Sequence, residues 1–411
     1  MSHGPVIGPN GPGVIRMSEA SPRRFTTADK AILELLGGDV GYLDRFRKVT
    51  TLSRQVRSSE YLLTNACNIR CEGCWFFEYD FDKTTTELKS IEGIRAFAEK
   101  ERARGVNYAI IIGGEPALIP DRIAAFISVM DYVTISTNGL KPLPVEGFEN
   151  VAVQISLFGG GELDDKLRAI KPGGKRFTGL FDTALRNYEG DRRACFVFAI
   201  TEDGIDHIEP TVRRIHENGN RVSLNFYSKY HRDEPLRMQN APRLVDEALR
   251  VKELYPNTLL TVPYVIRTIV TGESHWGTFG YDVCPSLSVD HPSHAARLAN
   301  GNPVLPRFNA WAADCNTVNF CCTSGHCEDC RDSQAVLSWI LVSLERFRES
   351  GESLKTWIEI SESYWKQFCW APYDTRSTAA GQDLGRLTAA SHEAGRPAGK
   401  RVALPLLAGG T

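Results

Sequence analysis

Glu60-Tyr-Leu-Leu-Thr-Asn65-Ala-Cys67-Asn-Ile-Arg-Cys71-Glu-Gly-Cys74-Trp75 is a short β-rich run that opens into a loop carrying three cysteines. The spacing is Cys-x3-Cys-x2-Cys. Thiolate is the usual protein ligand of iron–sulfur clusters, so three thiolates this close together can hold three irons of a [4Fe–4S] cube. A fourth local cysteine is missing, which leaves one iron with positions where a small molecule can bind. The alternatives are a zinc knuckle or a chance grouping. Zinc sites usually take four ligands, in pairs such as Cys-x2-Cys.

Outward from this loop, β-rich runs alternate with helical ones. Strands are expected at Glu60–Asn65, Tyr108–Gly113, Tyr132–Thr137, Val151–Leu157, Ala194–Thr201 and Arg221–Tyr227, with helices near 85–104, 120–130, 178–189, 205–218 and 242–255. Strands separated by helices argue for an α/β fold with a parallel sheet. A partial (β/α)6 TIM-like barrel and a doubly wound open sheet both give this rhythm. In either, chemistry gathers at the carboxyl ends of the strands, which is where each motif below falls.

The second strand ends in Ile110-Ile-Ile-Gly113-Gly114-Glu115-Pro116. Together with the cysteine spacing, this closely resembles the radical S-adenosylmethionine (SAM) superfamily. The resemblance implies a partial (β/α)6 barrel, a [4Fe–4S] cluster on Cys67, Cys71 and Cys74, and SAM chelating the open iron. It also implies an electron donor of the flavodoxin or ferredoxin type. Gly113 and Gly114 let backbone approach a ligand, and Glu115 supplies an acceptor for the SAM amino group. Asn138, in Ser136-Thr-Asn-Gly139, matches a SAM-contact position, although an Asn-Gly turn explains it equally well. Ser156 matches a polar contact to the ribose. Thr201-Glu-Asp-Gly204 and Asn225-Phe-Tyr227 end the next two strands, and both read as structural or as adenosyl contacts. Relatives often carry an aromatic residue just before the third cysteine. Here that position is Gly73, and Trp75, Phe76 or Phe77 is expected to take over the packing on adenine.

Cys284, Cys315, Cys321, Cys322, Cys327 and Cys330 cluster late in the chain, with Cys369 beyond them. Cys327-Glu-Asp-Cys330 is a compact chelating pair. The set resembles the SPASM and twitch auxiliary modules, which implies a second [4Fe–4S] cluster on Cys327, Cys330, Cys284 and one of Cys315, Cys321 or Cys322. A zinc site using Cys327, Cys330, His326 and Cys321 or Cys322 is the alternative. In redox-neutral radical enzymes a thiol returns a hydrogen atom to the substrate radical, and Cys321 or Cys322 is the candidate donor here. Either also reads as a buried small hydrophobe, as Cys195 does.

Composition narrows the field further. The 411 residues hold 48 Lys and Arg against 50 Asp and Glu, so no basic excess argues for nucleic acid as a partner. No run reaches the roughly 18 apolar residues of a membrane helix. The Gly/Pro-rich start lacks the apolar stretch of a secretory signal, and cysteines in clusters then read as metal ligands in a reducing, cytoplasmic setting. There is no Walker loop, His-Glu-x-x-His or G-x-S-x-G elbow. His207, His216, His231 and His275 show no metal spacing.

The expected organisation is a disordered segment 1–23, a helical extension 24–58, the barrel 59–260, a cysteine-rich auxiliary-cluster module with C-terminal helices 261–370, and a flexible tail 371–411. Thr261–Val270 reads as one more strand. The function expected is hydrogen-atom abstraction from a small sugar, aminocyclitol or nucleoside intermediate, giving dehydrogenation or epimerisation, because only about fifty-seven residues precede the barrel. A ribosomally made peptide is the second substrate class. A non-catalytic iron–sulfur or zinc protein is the reading from another class.

Overall fold

The computed structural model describes residues 25–78, 80–200, 202–226, 240–274, 277–278, 286–297, 305–319 and 333–368. Two helices come first, α1 (Thr27–Leu35) and α2 (Val40–Gln55), each with a side chain at its N-cap accepting a backbone N–H: Thr26 from Asp29 and Asp39 from Tyr42. They divide the single helical stretch expected there at Gly37 and Gly38, both in the left-handed region.

Six strands follow: β1 (Ser58–Leu62), β2 (Tyr108–Ile112), β3 (Tyr132–Thr137), β4 (Ala152–Leu157), β5 (Ala194–Ile200) and β6 (Arg221–Phe226). All pair in parallel, and they lie side by side in chain order. A doubly wound sheet reverses its order at a switch point, whereas a barrel runs consecutively. The order therefore identifies the partial barrel, which sequence left open. Short helices α3 (Trp75–Glu78) and α4 (Phe81–Thr84) and the longer α5 (Ile91–Arg104) join β1 to β2, and α6 (Pro120–Ile127) leads to β3. No helix links β3 to β4. Two, α7 (Gly161–Arg168) and α8 (Leu180–Asn187), link β4 to β5, and α9 (Ile208–Glu217) leads to β6.

One face of the sheet packs on these helices. Tyr61 meets Phe97 and Phe126, and Phe181 meets Phe196, within a single core that reaches from Ile32 to Trp365. The other face, with Gln154, Ser156, Cys195, Val197 and Ser223, lines the inside of the barrel, as strand alternation and the register require.

Beyond α10 (Ala241–Leu254), the stretch read as a seventh strand is helix α11 (Pro263–Thr271). Its β-branched residues mislead. Pro263 fits the first helical turn, and Val265, Ile266, Ile269 and Val270 form one buried helical stripe. A two-residue hairpin, β7 (Glu273–Ser274) and β8 (Gly277–Thr278), and the short α12 (His294–Arg297) follow. Next, β9 (Ala310–Trp311) pairs in parallel with β1 and β10 (Val318–Asn319) pairs with β9. Part of the expected cysteine-rich module thus extends the barrel sheet. Buried Glu101 fastens it there, accepting from Tyr61 Oη at 2.9 Å, Trp311 Nε1 at 3.0 Å and Arg104 Nε at 2.8 Å.

The closing helices are α13 (Ser333–Val342), α14 (Leu344–Phe347) and α15 (Gly351–Phe368). α15 rests on α2 through the bidentate Arg45–Glu362 pair, and Gln154 Nε2 on β4 donates to its Gln367 carbonyl. Among the described residues, no helix is long and apolar enough to cross a membrane.

Candidate metal and cofactor site

The cysteine loop leaves the carboxyl end of β1 and is pinned along its length. Gly114 N donates to the Thr64 carbonyl and Glu115 N to that of Ala66, both at 2.8 Å. Farther on, Arg70 N donates to the Ile170 carbonyl at 2.6 Å and Glu72 N to that of Leu167 at 2.8 Å, so the loop is also zipped to the end of α7. Glu87 accepts from Asn65 N, Thr64 Oγ1 and Arg122 Nη1. Cys67, Cys71 and Cys74 are half-buried on this frame.

The two glycines serve the loop as much as any ligand. A Cβ on Gly114 would stand 2.1 Å from the Ala66 carbonyl oxygen, and one on Gly113 would stand 2.8 Å from that of Thr64, at φ +129. Only glycine lets β2 press this close. Gly114→Ala is expected to push the loop off its seat and to destabilise the protein by about 1–3 kcal/mol, as overpacking does. Urea unfolding measures the loss.

Glu115, read as the acceptor for the SAM amino group, has a buried carboxylate that is already engaged in the chain's own hydrogen bonds. Oε1 accepts from Ala117 N at 2.9 Å and Thr137 Oγ1 at 2.7 Å, and Oε2 from Asn138 N at 2.8 Å. It clamps β2 to β3. A carboxylate has about four acceptor sites, so Oε2 keeps room for one more donor. Burial pushes its pKa up, against the pull of those hydrogen bonds. Asn138 Nδ2 donates to Asn68 Oδ1 at 2.7 Å, and Asn138 Oδ1 accepts from Leu140 N, so this side chain braces the loop inside a turn. The Ser156 hydroxyl, on the inner face of β4, has no partner among the described residues. Trp75 stands edge-on to Phe76 and Phe81, whose rings bury against Leu62. The Arg70 guanidinium lies 3.8 Å from the Phe77 ring centre.

Sequence reasoning missed Arg168. The pair Asp164 and Arg168 has the i,i+4 spacing of a solvated helix face, but both side chains are buried, with Nη1 3.4 Å from Oδ1. Arg168 also donates to the Ser156 carbonyl, lies over Phe158 and stands close enough to Cys71 to interact with it electrostatically. Burial works against its charge, but Asp164 and Cys71 outweigh it and raise its pKa. Its Nε has no partner among the described residues.

This setting fits an iron–sulfur centre. Three thiols and an inward-facing cation suit a cube carrying net negative charge, and a cube takes each thiolate on a separate iron. Among the described residues, no three His, Cys, Asp or Glu side chains converge on one metal ion. Burial pushes the Cys67 thiol up to about 12 and that of Cys74 up to about 11. Both thiols stay protonated near neutrality, so cluster loading must expel their protons. Reconstitution in weak buffer is expected to acidify the solution, and uptake should weaken as pH falls. A pH indicator and iron analysis record both.

Cys315 lies in the turn after β9, at the same end of the sheet as the loop, with φ +54 and its thiol pushed up to about 12 by burial and by Asp314. Cys284, Cys321, Cys322, Cys327 and Cys330 lie outside the described residues, as do Cys369, His326, Thr201 and Tyr227.

Residues 61–228 match the Radical SAM superfamily sequence model. Over 160 residues the chain is 29% identical to the sporulation killing factor maturation protein SkfB of Bacillus subtilis (strain 168), covering 37% of this chain and 38% of that protein. The chain thus spans well under half of that relative. Among solved structures, native anSMEcpe with bound AdoMet aligns at TM-score 0.44 and 11% identity, over 82% of this chain and 99% of that one. The FeFe-hydrogenase maturase HydG of Carboxydothermus hydrogenoformans aligns at TM-score 0.35 and 14% identity, over 87% and 89%. The matched span runs from within β1 to just past β6 and takes in the cysteine loop and the Gly-Gly-Glu-Pro turn, so this part of the chain is similar to the radical SAM superfamily.

Proposed function

We propose that this chain is a radical SAM enzyme whose substrate is a peptide. The observation that carries the chemistry is the loop itself: three thiols, pinned to β2 and α7 and faced by the buried Arg168. When bound, a [4Fe–4S] cluster and SAM supply, on one-electron reduction, a 5′-deoxyadenosyl radical that takes a hydrogen atom from substrate. Cys67, Cys71 and Cys74 would hold the cluster, and Arg168 would balance its charge. Glu115 and Asn138 keep the ends of β2 and β3 fixed beside the loop, and Ser156 offers a free hydroxyl to the SAM side.

Two buried polar atoms on the inner face, Gln154 Oε1 and Ser223 Oγ, have no partner among the described residues. Buried polar atoms are normally paired. The similarity to a maturation protein favours a peptide substrate over the sugar, aminocyclitol or nucleoside expected from the sequence. A second cluster on Cys284, Cys315, Cys327 and Cys330, and hydrogen return by Cys321 or Cys322, belong to the same proposal.

Anaerobically reconstituted protein given SAM and dithionite should release 5′-deoxyadenosine and methionine. A peptide encoded beside its gene should then lose mass on dehydrogenation, or take up solvent deuterium on epimerisation. Cluster-loaded protein that releases no 5′-deoxyadenosine ends the enzymatic reading. Release coupled to a sugar and to no peptide restores the small-substrate one.

A further inference from the structure

After α7 the chain makes a tight hairpin whose root is the cysteine loop's own seat. Ile170 and Arg176 form an antiparallel bridge, Lys171 N donates to the Lys175 carbonyl at 2.9 Å, and Phe177 N donates to that of Ala169 at 2.9 Å. The tip, Pro172-Gly173-Gly174, is unpacked: a Cβ on either glycine would meet nothing within 4 Å. Lys166, Lys171, Lys175 and Arg176 are exposed here, and Arg70 lies alongside on the cysteine loop. Of the nearby acids, Glu72 is paired with Arg176 at 2.7 Å, and Asp165 is occupied by the backbone N–H groups of Gly179 and Leu180. Among the described residues the three lysines form no ion pair. In a chain with a formal charge of −2, this is a local concentration of positive charge and not a reflection of composition.

Its position gives the patch a purpose. Arg70 and Glu72, on either side of Cys71, are the residues whose backbone is bonded to 170 and 167. The hairpin is therefore an exposed surface hydrogen-bonded to the residues on both sides of Cys71. Electron tunnelling falls steeply with distance, so a protein that reduces this cluster must dock where the cluster lies nearest the surface. We propose that the hairpin 166–176, with Arg70, is the docking surface for an acidic one-electron carrier protein. The proposal rests on Cys67, Cys71 and Cys74 holding the cluster. Charge complementarity of this kind acts mainly on the encounter rate and is screened by salt.

The test uses the full chain with its cluster reconstituted, and flavodoxin hydroquinone as the reductant. In Lys171→Glu/Lys175→Glu, the second-order rate of cluster reduction at low salt is expected to fall at least about tenfold. The wild-type rate should decline toward the variant's as salt rises. Dithionite-driven release of 5′-deoxyadenosine should stay within about twofold of wild type, since neither lysine touches the site. An unchanged, salt-insensitive flavodoxin rate overturns the proposal. So does an unchanged flavodoxin rate accompanied by weaker use of a peptide substrate, which assigns the hairpin to substrate binding. Wild-type protein that flavodoxin reduces through this face but that releases no 5′-deoxyadenosine supports the docking surface and defeats the proposed activity. A wild-type chain that takes up no cluster defeats both.

Discussion

Cys71→Ala is expected to strip the barrel cluster from the protein, removing about four irons per chain and abolishing 5′-deoxyadenosine release, while leaving the fold in place. The separation follows from how the loop is held. Its anchors are backbone hydrogen bonds to Thr64, Ala66, Leu167 and Ile170, and Cys71 supplies none of these partner carbonyls. A half-buried thiol shortened to a methyl costs about 1 kcal/mol of stability, within reach of any folded domain. Two thiols hold a cube poorly, and Glu72 and Asn68, the carboxylate and amide nearest Cys71 in sequence, are already paired with Arg176 and Asn138. Iron and sulfide analysis, alongside urea unfolding of the cluster-free protein, distinguishes this outcome from simple misfolding. Wild-type iron content in the variant would remove Cys71 from the ligand set.

Much of the architecture was legible because it is written in local periodicity. The six strands of the barrel were placed to within a residue or three, since each is a short apolar run bounded by turn residues. The cysteine loop and the Gly-Gly-Glu-Pro turn were legible for a different reason: their chemistry depends on spacing along the chain. Tertiary context hid the rest. Residues 261–270 have strand-like composition but bury a helical stripe. Ala310–Trp311 is too short to signal a strand, and it becomes one only because β1 has a free edge. Glu115 read as a ligand group, and nothing in sequence reveals that Thr137 and Asn138 also donate to its two oxygens. Gly114 read as a place for ligand approach, whereas what approaches it most closely is the chain's own Ala66. Arg168 was invisible for the same reason in stronger form, since its spacing from Asp164 is what a solvated helix would show.

That buried pair carries the second large effect. Arg168→Leu should cost about 3–5 kcal/mol, because it strands a charged carboxylate with no water to solvate it. Asp164 Oδ1 would keep only the Phe158 N–H at 2.7 Å, and Oδ2 already lacks a partner among the described residues. Burial raises the Asp164 pKa even with Arg168 present, and losing the cation must raise it further. The folded variant then holds its Asp164 proton more tightly than the unfolded chain does. Its stability is accordingly greatest below the carboxylate's ordinary range and is lost as pH rises through the raised value. Urea unfolding should therefore show a deficit at neutral pH that shrinks on acidification. Asp164→Asn/Arg168→Leu removes both charges and keeps an acceptor for Phe158 N, so it should regain most of the loss; if it does not, packing and not charge is what Arg168 provides. The double variant also isolates the guanidinium's other contact. Cluster potentials respond to nearby charge and to hydrogen bonds on their sulfurs. With the fold restored and the guanidinium beside Cys71 gone, the midpoint potential should lie below that of wild type in an EPR-monitored titration. An unshifted midpoint in a cluster-loaded double variant would confine Arg168 to the fold.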